Sequence, residues 1–250
     1  MSVAPQVAAL LLEAHASGRQ IALSRAPALE RLEDAYAAQD IVVRALGGRR
    51  RVQAWKVIPP QAGAEPRAAP VCPGRAFDSP ATLPVAGMHM LGVEVEIAYR
   101  FARDLPSPAT DDEVAAAVLE ALVTIELCDT RLQDWKDASA LWRLADQQSN
   151  AALVLGSGTR DWRGIDFGAQ RAELWVDGAL RAAATGAHPC TDPFSIVPWL
   201  ARHCAARGAG LRAGDVVTTG SWTGMAFAAP GAEVRARFPG IGEARLRLAA

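Results

Sequence analysis

The sequence predicts one α+β domain, and three observations predict it. Helical periodicity is concentrated in the first 50 residues. Alternating and β-branched runs dominate from residue 51 onward. Strands and helices do not alternate as βαβ units, and neither a G-x-G-x-x-G fingerprint nor a P-loop is present. A chain of 250 residues can bury roughly 70% or more of its unfolded surface, so it needs no disulfide or metal merely to fold.

Residues 4–17 and 30–46 carry apolar positions at helical spacing, and the second run ends near Gly47-Gly48. Arg51 to Val57 reads as a strand carrying Lys56. Pro59, Pro60, Pro66, Pro70 and Pro73 then mark an irregular stretch to about residue 90, a length of loop that is often functional. Residues 91–101 alternate strictly. Val93, Val95, Ile97, Tyr99 and Phe101 share one face; Glu94, Glu96, Ala98 and Arg100 share the other. Thr110 to Glu113 is a capping-box pattern that predicts a helix to about Leu122, and Val123-Thr124-Ile125 opens a strand through Asp129.

Further on, 152–156 reads as a short strand and 172–184 as a hairpin turning at Asp177-Gly178. Asp192-Pro193 suits the start of a helix ending at Gly208. Strand-like runs follow at 215–220, 232–238 and 243–248.

Charge and composition exclude several classes. Lys+Arg number 26 and Asp+Glu 27, a formal net charge of -1. With no basic block there is no electrostatic case for nucleic acid or an anionic membrane. No run approaches the roughly 20 apolar residues of a membrane helix, so a cytoplasmic protein is expected. The four cysteines, at 72, 128, 190 and 204, form no C-x-x-C and read as free thiols in a reducing compartment. Only two residues are lysine, Lys56 and Lys136. Lysine can lose a proton where arginine cannot.

Glu94-Val95-Glu96 is the strongest local feature. Residues i and i+2 of a strand point the same way, roughly 6.6–6.8 Å apart. Two carboxylates that close repel unless water or a cation screens them, so the pair is a plausible half-site for a hard divalent cation. A solvated strand face is the competing reading. Glu126, flanked by Ile125 and Leu127, could supply a third carboxylate, though spacing alone cannot bring it to Glu94.

The ordered set of Ala54-Trp55-Lys56-Val57, Arg75 to Pro80, Gly92 to Ala98, Glu126 to Arg131, Asp134-Trp135-Lys136, Ala145 to Ser149, Leu155-Gly156, Leu211 to Ser221 and Phe238 to Gly242 resembles the 2-keto-4-pentenoate hydratase / 4-oxalocrotonate decarboxylase family of the fumarylacetoacetate hydrolase-like superfamily. The resemblance runs from about residue 30 to the C-terminus. It implies a twisted mixed β-roll core of the fumarylacetoacetate hydrolase C-terminal-domain type with an N-terminal helical portion. On that basis residues 1–250 are one catalytic domain, with 1–50 helical and 51–250 the roll.

The resemblance further implies Mg²⁺, with Mn²⁺ as an alternative, held by Glu94, Glu96 and Glu126. Lys56 and Asp78 are then catalytic, and Ser149, Leu155, Gly156 and Ser221 contact the substrate. A homo-oligomer is implied, and association with a related hydratase or decarboxylase is conceivable. The expected reaction is hydration of a 2-hydroxy-2,4-dienoate in aromatic catabolism. A bound divalent ion suits it, since a Lewis acid stabilises negative charge on such an acid.

Two departures from the family pattern bear on the substrate. The glycine that usually follows the strand lysine is replaced by Val57-Ile58-Pro59, and the family's A-D-N-x-S appears with Gln147 for the asparagine, leaving Asn150 as a candidate compensation. Alternatives remain: a 4-oxalocrotonate (2-oxo-3-hexenedioate) decarboxylase, an acylpyruvate-type hydrolase, or a non-catalytic binding subunit. Gly92 and Val93, where the hydrolases carry histidine, count against the hydrolase. Among the histidines, His188 could approach substrate or simply shape a turn. Gly220 to Gly224 could present backbone N–H groups to a carboxylate or be a plain turn.

Overall fold

The computed structural model describes residues 2–60 and 64–250; Met1 and residues 61–63, the latter inside the proline-rich stretch, lie outside the described residues. Two helices come first, α1 (Ala4–Ser17) and α2 (Leu32–Gly47). They pack on each other and on α4 (Ala140–Ala145) through Val7, Leu11, Val42, Leu132 and Trp142. Backbone bonds from Ile21 N–H to Arg131 O (2.8 Å) and from Gln133 N–H to Ile21 O (2.9 Å) tie this helical layer to the rest.

Between α2 and α4 come β1 (Ala54–Ile58), β2 (Arg67–Pro70), β3 (Ala76–Asp78), β4 (Ala81–Pro84), β5 (Gly92–Phe101), α3 (Asp111–Ala117) and β6 (Val118–Cys128). After α4 come β7 (Asn150–Thr159), β8 (Arg171–Val176), β9 (Ala179–Thr185), α5 (Val197–Ala206), β10 (Val216–Thr218), β11 (Ala226–Phe227), β12 (Glu233–Phe238) and β13 (Gly242–Ala249). They form an eight-stranded sheet, β2-β1-β10-β5-β6-β7-β3 with β11 beside β5, and a five-stranded sheet, β4-β13-β12-β8-β9. Both sheets mix parallel and antiparallel pairs.

The larger sheet is rolled. Ala54 of β1 and Leu153 of β7, with three strands between them, meet in one buried cluster with Ala98, Leu122 and Val216. The opposite face, Val93 to Phe101 at alternate positions, packs against Leu174, Val234, Phe238 and Leu246 of the second sheet. Full burial of each such side chain contributes roughly 1.5–3 kcal/mol, and this apolar face is what fixes β5 in register.

Several local expectations meet the structure directly. Thr110 and Glu113 form a reciprocal capping box, and Asp177 (φ 51°) and Gly178 (φ 75°) make the left-handed hairpin turn. Asp192 caps Phe194 N–H at 2.9 Å, starting a short 3₁₀ turn that leads into α5.

Two expectations are corrected. The helix from Thr110 stops at Ala117, and Val118–Leu122 is strand. Pairing of Tyr99 with Ala121 and of Ala98 with Leu122 overrides the helix propensity of the Ala- and Leu-rich run. The irregular stretch also contains β2, β3 and β4, whose prolines sit at or next to strand ends, where no ladder donor is required. Among the described residues no helix is long and apolar enough to cross a membrane.

Candidate active site

Alternation on β5 places Glu94 and Glu96 on the inner face of the roll, and the antiparallel register sets Glu94 directly opposite Glu126 of β6. Like charges facing each other across strands are destabilising unless a cation lies between them. Lys56 of β1 supplies one. Its Nζ lies 2.6 Å from Glu126 Oε2 and 3.5 Å from Glu94 Oε2. The Glu126 side chain is fully buried, while the Lys56 and Glu94 side chains keep 9% and 13% exposure, so solvent reaches the cluster along their edge.

Each carboxylate is held individually. Asn150 Nδ2 donates to Glu126 Oε1 at 3.0 Å, so Asn150 is the residue near the Gln147 departure that reaches the cluster. Glu96 Oε2 accepts from the Thr218 hydroxyl and from Gly220 N–H (2.9 Å). The glycine-rich turn therefore presents its N–H to the protein's own carboxylate. Among the described residues Glu96 Oε1 is buried without a partner.

Burial pushes Glu126 up to about 7, opposed by Lys56 and reinforced by Glu96. Burial also raises Glu94 and Glu96, against the pull of Lys56. Burial alone would lower Lys56, but the Glu126 and Glu94 carboxylates outweigh it and hold the ammonium well above its ordinary range.

With all four groups ionised, three carboxylates against one ammonium leave two uncompensated negative charges. That surplus, the spare Glu96 oxygen and the all-oxygen carboxylate set fit a hard divalent cation. Ligand atoms of Glu94, Glu126 and Cys128 lie within 4.8 Å of one another. Cys128 joins the group because it follows Glu126 by two residues on the same face. Its thiol is buried, and burial raises it well above its usual value.

The other expected residues are placed less directly. Asp78 ends β3, exposed, with no hydrogen bond or ion pair to Lys56 or the glutamates among the described residues. The register nevertheless aligns Glu96, Thr124, Leu155 and Asp78 in one row across β5, β6, β7 and β3, so Asp78 and Leu155 share the inner face.

Gly156 turns to the opposite face, where a Cβ would meet Glu243 O of β13 at 2.2 Å. Its side of the strand is occupied by sheet-to-sheet packing and is not open to a ligand. Gly156→Ala is expected to cost roughly 1–3 kcal/mol in chemical denaturation, as overpacking does, with the cluster's affinity for Mg²⁺ unchanged. Ser221 Oγ donates to Gly224 O at 3.2 Å and closes the glycine-rich turn.

Ser149 is buried at the end of a left-handed turn in which Gln147, Gln148 and Ser149 have φ of 47°, 53° and 61°. Three successive non-glycine residues in this region are strained, at roughly 1–2 kcal/mol each. Asp146 holds the turn. It is fully buried and accepts from Arg131 Nε, Arg131 N–H (3.0 Å) and Thr130 Oγ1 (3.1 Å), and Arg131 also reaches Asn150 O (3.3 Å). Sequence reasoning assigned no role to Thr218 or Thr124; the register and the Thr218 hydroxyl bring them beside Glu96. A cavity of about 440 Å³ lined by Asp129, Arg131, His89 and Asn150 adjoins the cluster through Asn150 but does not include Lys56 or the glutamates.

The rolled mixed sheet with its helical layer has known relatives. Residues 34–249 match the Fumarylacetoacetate (FAA) hydrolase C-terminal family, and the chain belongs to it. The 2-keto-4-pentenoate hydratase of Burkholderia vietnamiensis is 33% identical over 250 residues, covering 96% of this chain and 95% of that protein. A 4-oxalocrotonate decarboxylase of Pseudomonas putida is 28% identical over 156 residues, 62% of this chain and 59% of that protein. The structure of 4-oxalocrotonate decarboxylase from Pseudomonas putida G7 complexed with magnesium and adipate shares the fold, with a TM-score of 0.82 at 20% identity over 98% of this chain and 97% of that one.

Proposed function

We propose that the chain is a divalent-metal-dependent lyase that hydrates a 2-hydroxy-2,4-dienoate of the 2-keto-4-pentenoate type to a 4-hydroxy-2-oxo acid in aromatic catabolism. The observation that carries this reading is the meeting of Glu94 and Glu126 at Lys56 on the inner face of the roll, with Glu96 on the same face of β5 two residues from Glu94. The near full-length likeness to a 2-keto-4-pentenoate hydratase supports the choice of reaction.

Glu94, Glu96 and Glu126 would hold Mg²⁺, with Mn²⁺ as the alternative. When bound, the ion supplies Lewis-acid stabilisation of negative charge developing on the substrate's 2-oxygen. The chain's own residues do the rest. Burial leaves the charged groups only a narrow edge open to water, which strengthens the charge interactions there. With a cation neutralising Glu94 and Glu126, the pull that holds the proton on Lys56 would weaken, and at the narrow open edge Lys56 is assigned as charge partner and proton donor to an anionic substrate.

Hydration requires loss of the 2-hydroxyl proton with delivery of a proton to the terminal diene carbon, then addition of water across the resulting C3–C4 double bond, hydroxyl to C4 and proton to C3. Lys56 and Asp78 are the two groups assigned to this proton traffic, and the row shared by Glu96 and Asp78 supports the second. Ser149, Leu155, the Gly156 backbone and Ser221 are assigned to the walls around the substrate. Residues 1–250 act as one catalytic domain, supported by the bonds between the helical layer and the roll. Homo-oligomeric assembly and a cytoplasmic location complete the reading on the resemblance.

The test follows the ultraviolet absorbance of a 2-hydroxydienoate. It decays in the presence of Mg²⁺ and persists after complete chelation; turnover that survives metal removal refutes the mechanism. Release of CO₂ from 2-oxo-3-hexenedioate, without hydration, reassigns the chain to the decarboxylase reading. Metal binding with neither reaction leaves a binding subunit.

A further inference from the structure

His188, in the loop between β9 and α5, is 3% exposed and uses both ring nitrogens. Nδ1 accepts the Cys190 N–H at 3.2 Å, so the proton resides on Nε2, which donates to the Thr219 carbonyl at 2.8 Å. That carbonyl and the Gly220 N–H belong to one peptide plane. In a trans peptide the two groups point in opposite directions and turn together. Drawing the oxygen toward His188 therefore aims the N–H the other way, onto Glu96 Oε2 at 2.9 Å.

The plane is clamped on its flanks as well. Gly220 has φ +106°, and a Cβ there would meet Pro59 at 2.9 Å. Trp222, two residues after Gly220 and with its ring 5.7 Å from that of His188, is tied to β5 by its own N–H on Val95 O (3.0 Å). Thr219 Oγ1 donates to Ile97 O at 2.7 Å. Pro59, part of the departure that follows Lys56, thus sits against the same peptide that His188 holds.

We propose that His188 is a positioning residue. It orients the Thr219–Gly220 peptide so that Glu96 is gripped through one oxygen and offers the other to a divalent cation, without itself touching substrate or ion. This rests on the assignment of Glu96 to the metal site. Partners that orient metal ligands in this way typically change affinity by roughly 10- to 100-fold when removed.

The experiment titrates Mg²⁺ into the metal-free chain by calorimetry and, separately, records the Gly220 amide resonance in ¹⁵N-glycine-labelled protein. His188→Gln retains an N–H donor near the position of Nε2; His188→Asn and His188→Leu do not. The expected result is near-wild-type Mg²⁺ affinity and an unshifted Gly220 amide in His188→Gln. In His188→Asn or His188→Leu, whichever folds, affinity falls about 10- to 100-fold and the amide moves upfield as its bond to the carboxylate lengthens. Unchanged affinity and an unmoved Gly220 amide in the donor-less variants overturn the positioning role while leaving the metal site intact. Absence of Mg²⁺ binding by the wild-type chain overturns the metal site and the positioning role together.

Discussion

Lys56→Met lowers turnover of a 2-hydroxydienoate by on the order of 10²- to 10⁴-fold, the range for loss of a positioned proton-transfer group, while Mg²⁺ affinity at pH 8 does not fall. The two readouts separate because the ammonium competes with a cation for the carboxylates rather than helping to bind it. Nζ sits 2.6 Å from Glu126 and 3.5 Å from Glu94. Its removal leaves three buried carboxylates facing one another in the metal-free chain. Breaking a buried pair costs roughly 3–5 kcal/mol. The cost here falls at the low end, because Glu126, already raised to about 7, can take up a proton instead. The metal-free variant therefore melts lower than wild type, and saturating Mg²⁺ restores most of the difference. Retention of wild-type kcat with saturating metal would limit Lys56 to charge balance.

Asp146→Ala has the largest expected effect on stability. The carboxylate is fully buried and serves Arg131, Thr130 and a backbone N–H at once. Its loss strands the Arg131 guanidinium in the interior, at a cost of roughly 3–5 kcal/mol. For a chain of this size that lowers Tm by roughly 6–20 °C. The turn at 147–149 loses its anchor, and Asn150 moves from Glu126. Arg131→Met combined with Asp146→Leu removes both charges and recovers much of the loss, as apolar replacement of a buried ion pair often does. A single variant that costs less than about 1 kcal/mol would show that the pair does not hold the turn. Denaturant melts of both single variants and the double variant complete the cycle.

What could be read from the residues follows their physical range. The period-two alternation of 92–101, the Thr110 capping box and the Asp177-Gly178 turn are decided within a few residues, and all three stand in the structure. The strand lysine and the Glu-x-Glu pair were equally visible. The meeting of Glu94 with Glu126 was not, because register between two long strands comes from the packing of their apolar faces against the second sheet. The same non-local pairing turned Val118–Leu122 from helix into strand. The six-residue α4 is too short for periodicity to show. Nothing in Gln147-Gln148-Ser149 signals a left-handed path, and the Arg131–Asp146 pair beside it joins residues 15 apart in sequence.

Of the chain's two lysines, one lies exposed at Lys136 and the other is held between carboxylates with only an edge of its side chain open. Side-chain acylation thus has two speeds in this molecule. Lys136 reacts at once and counts every copy present, whereas Lys56 reacts slowly through its narrow open edge, so its rate reports whether that edge is covered.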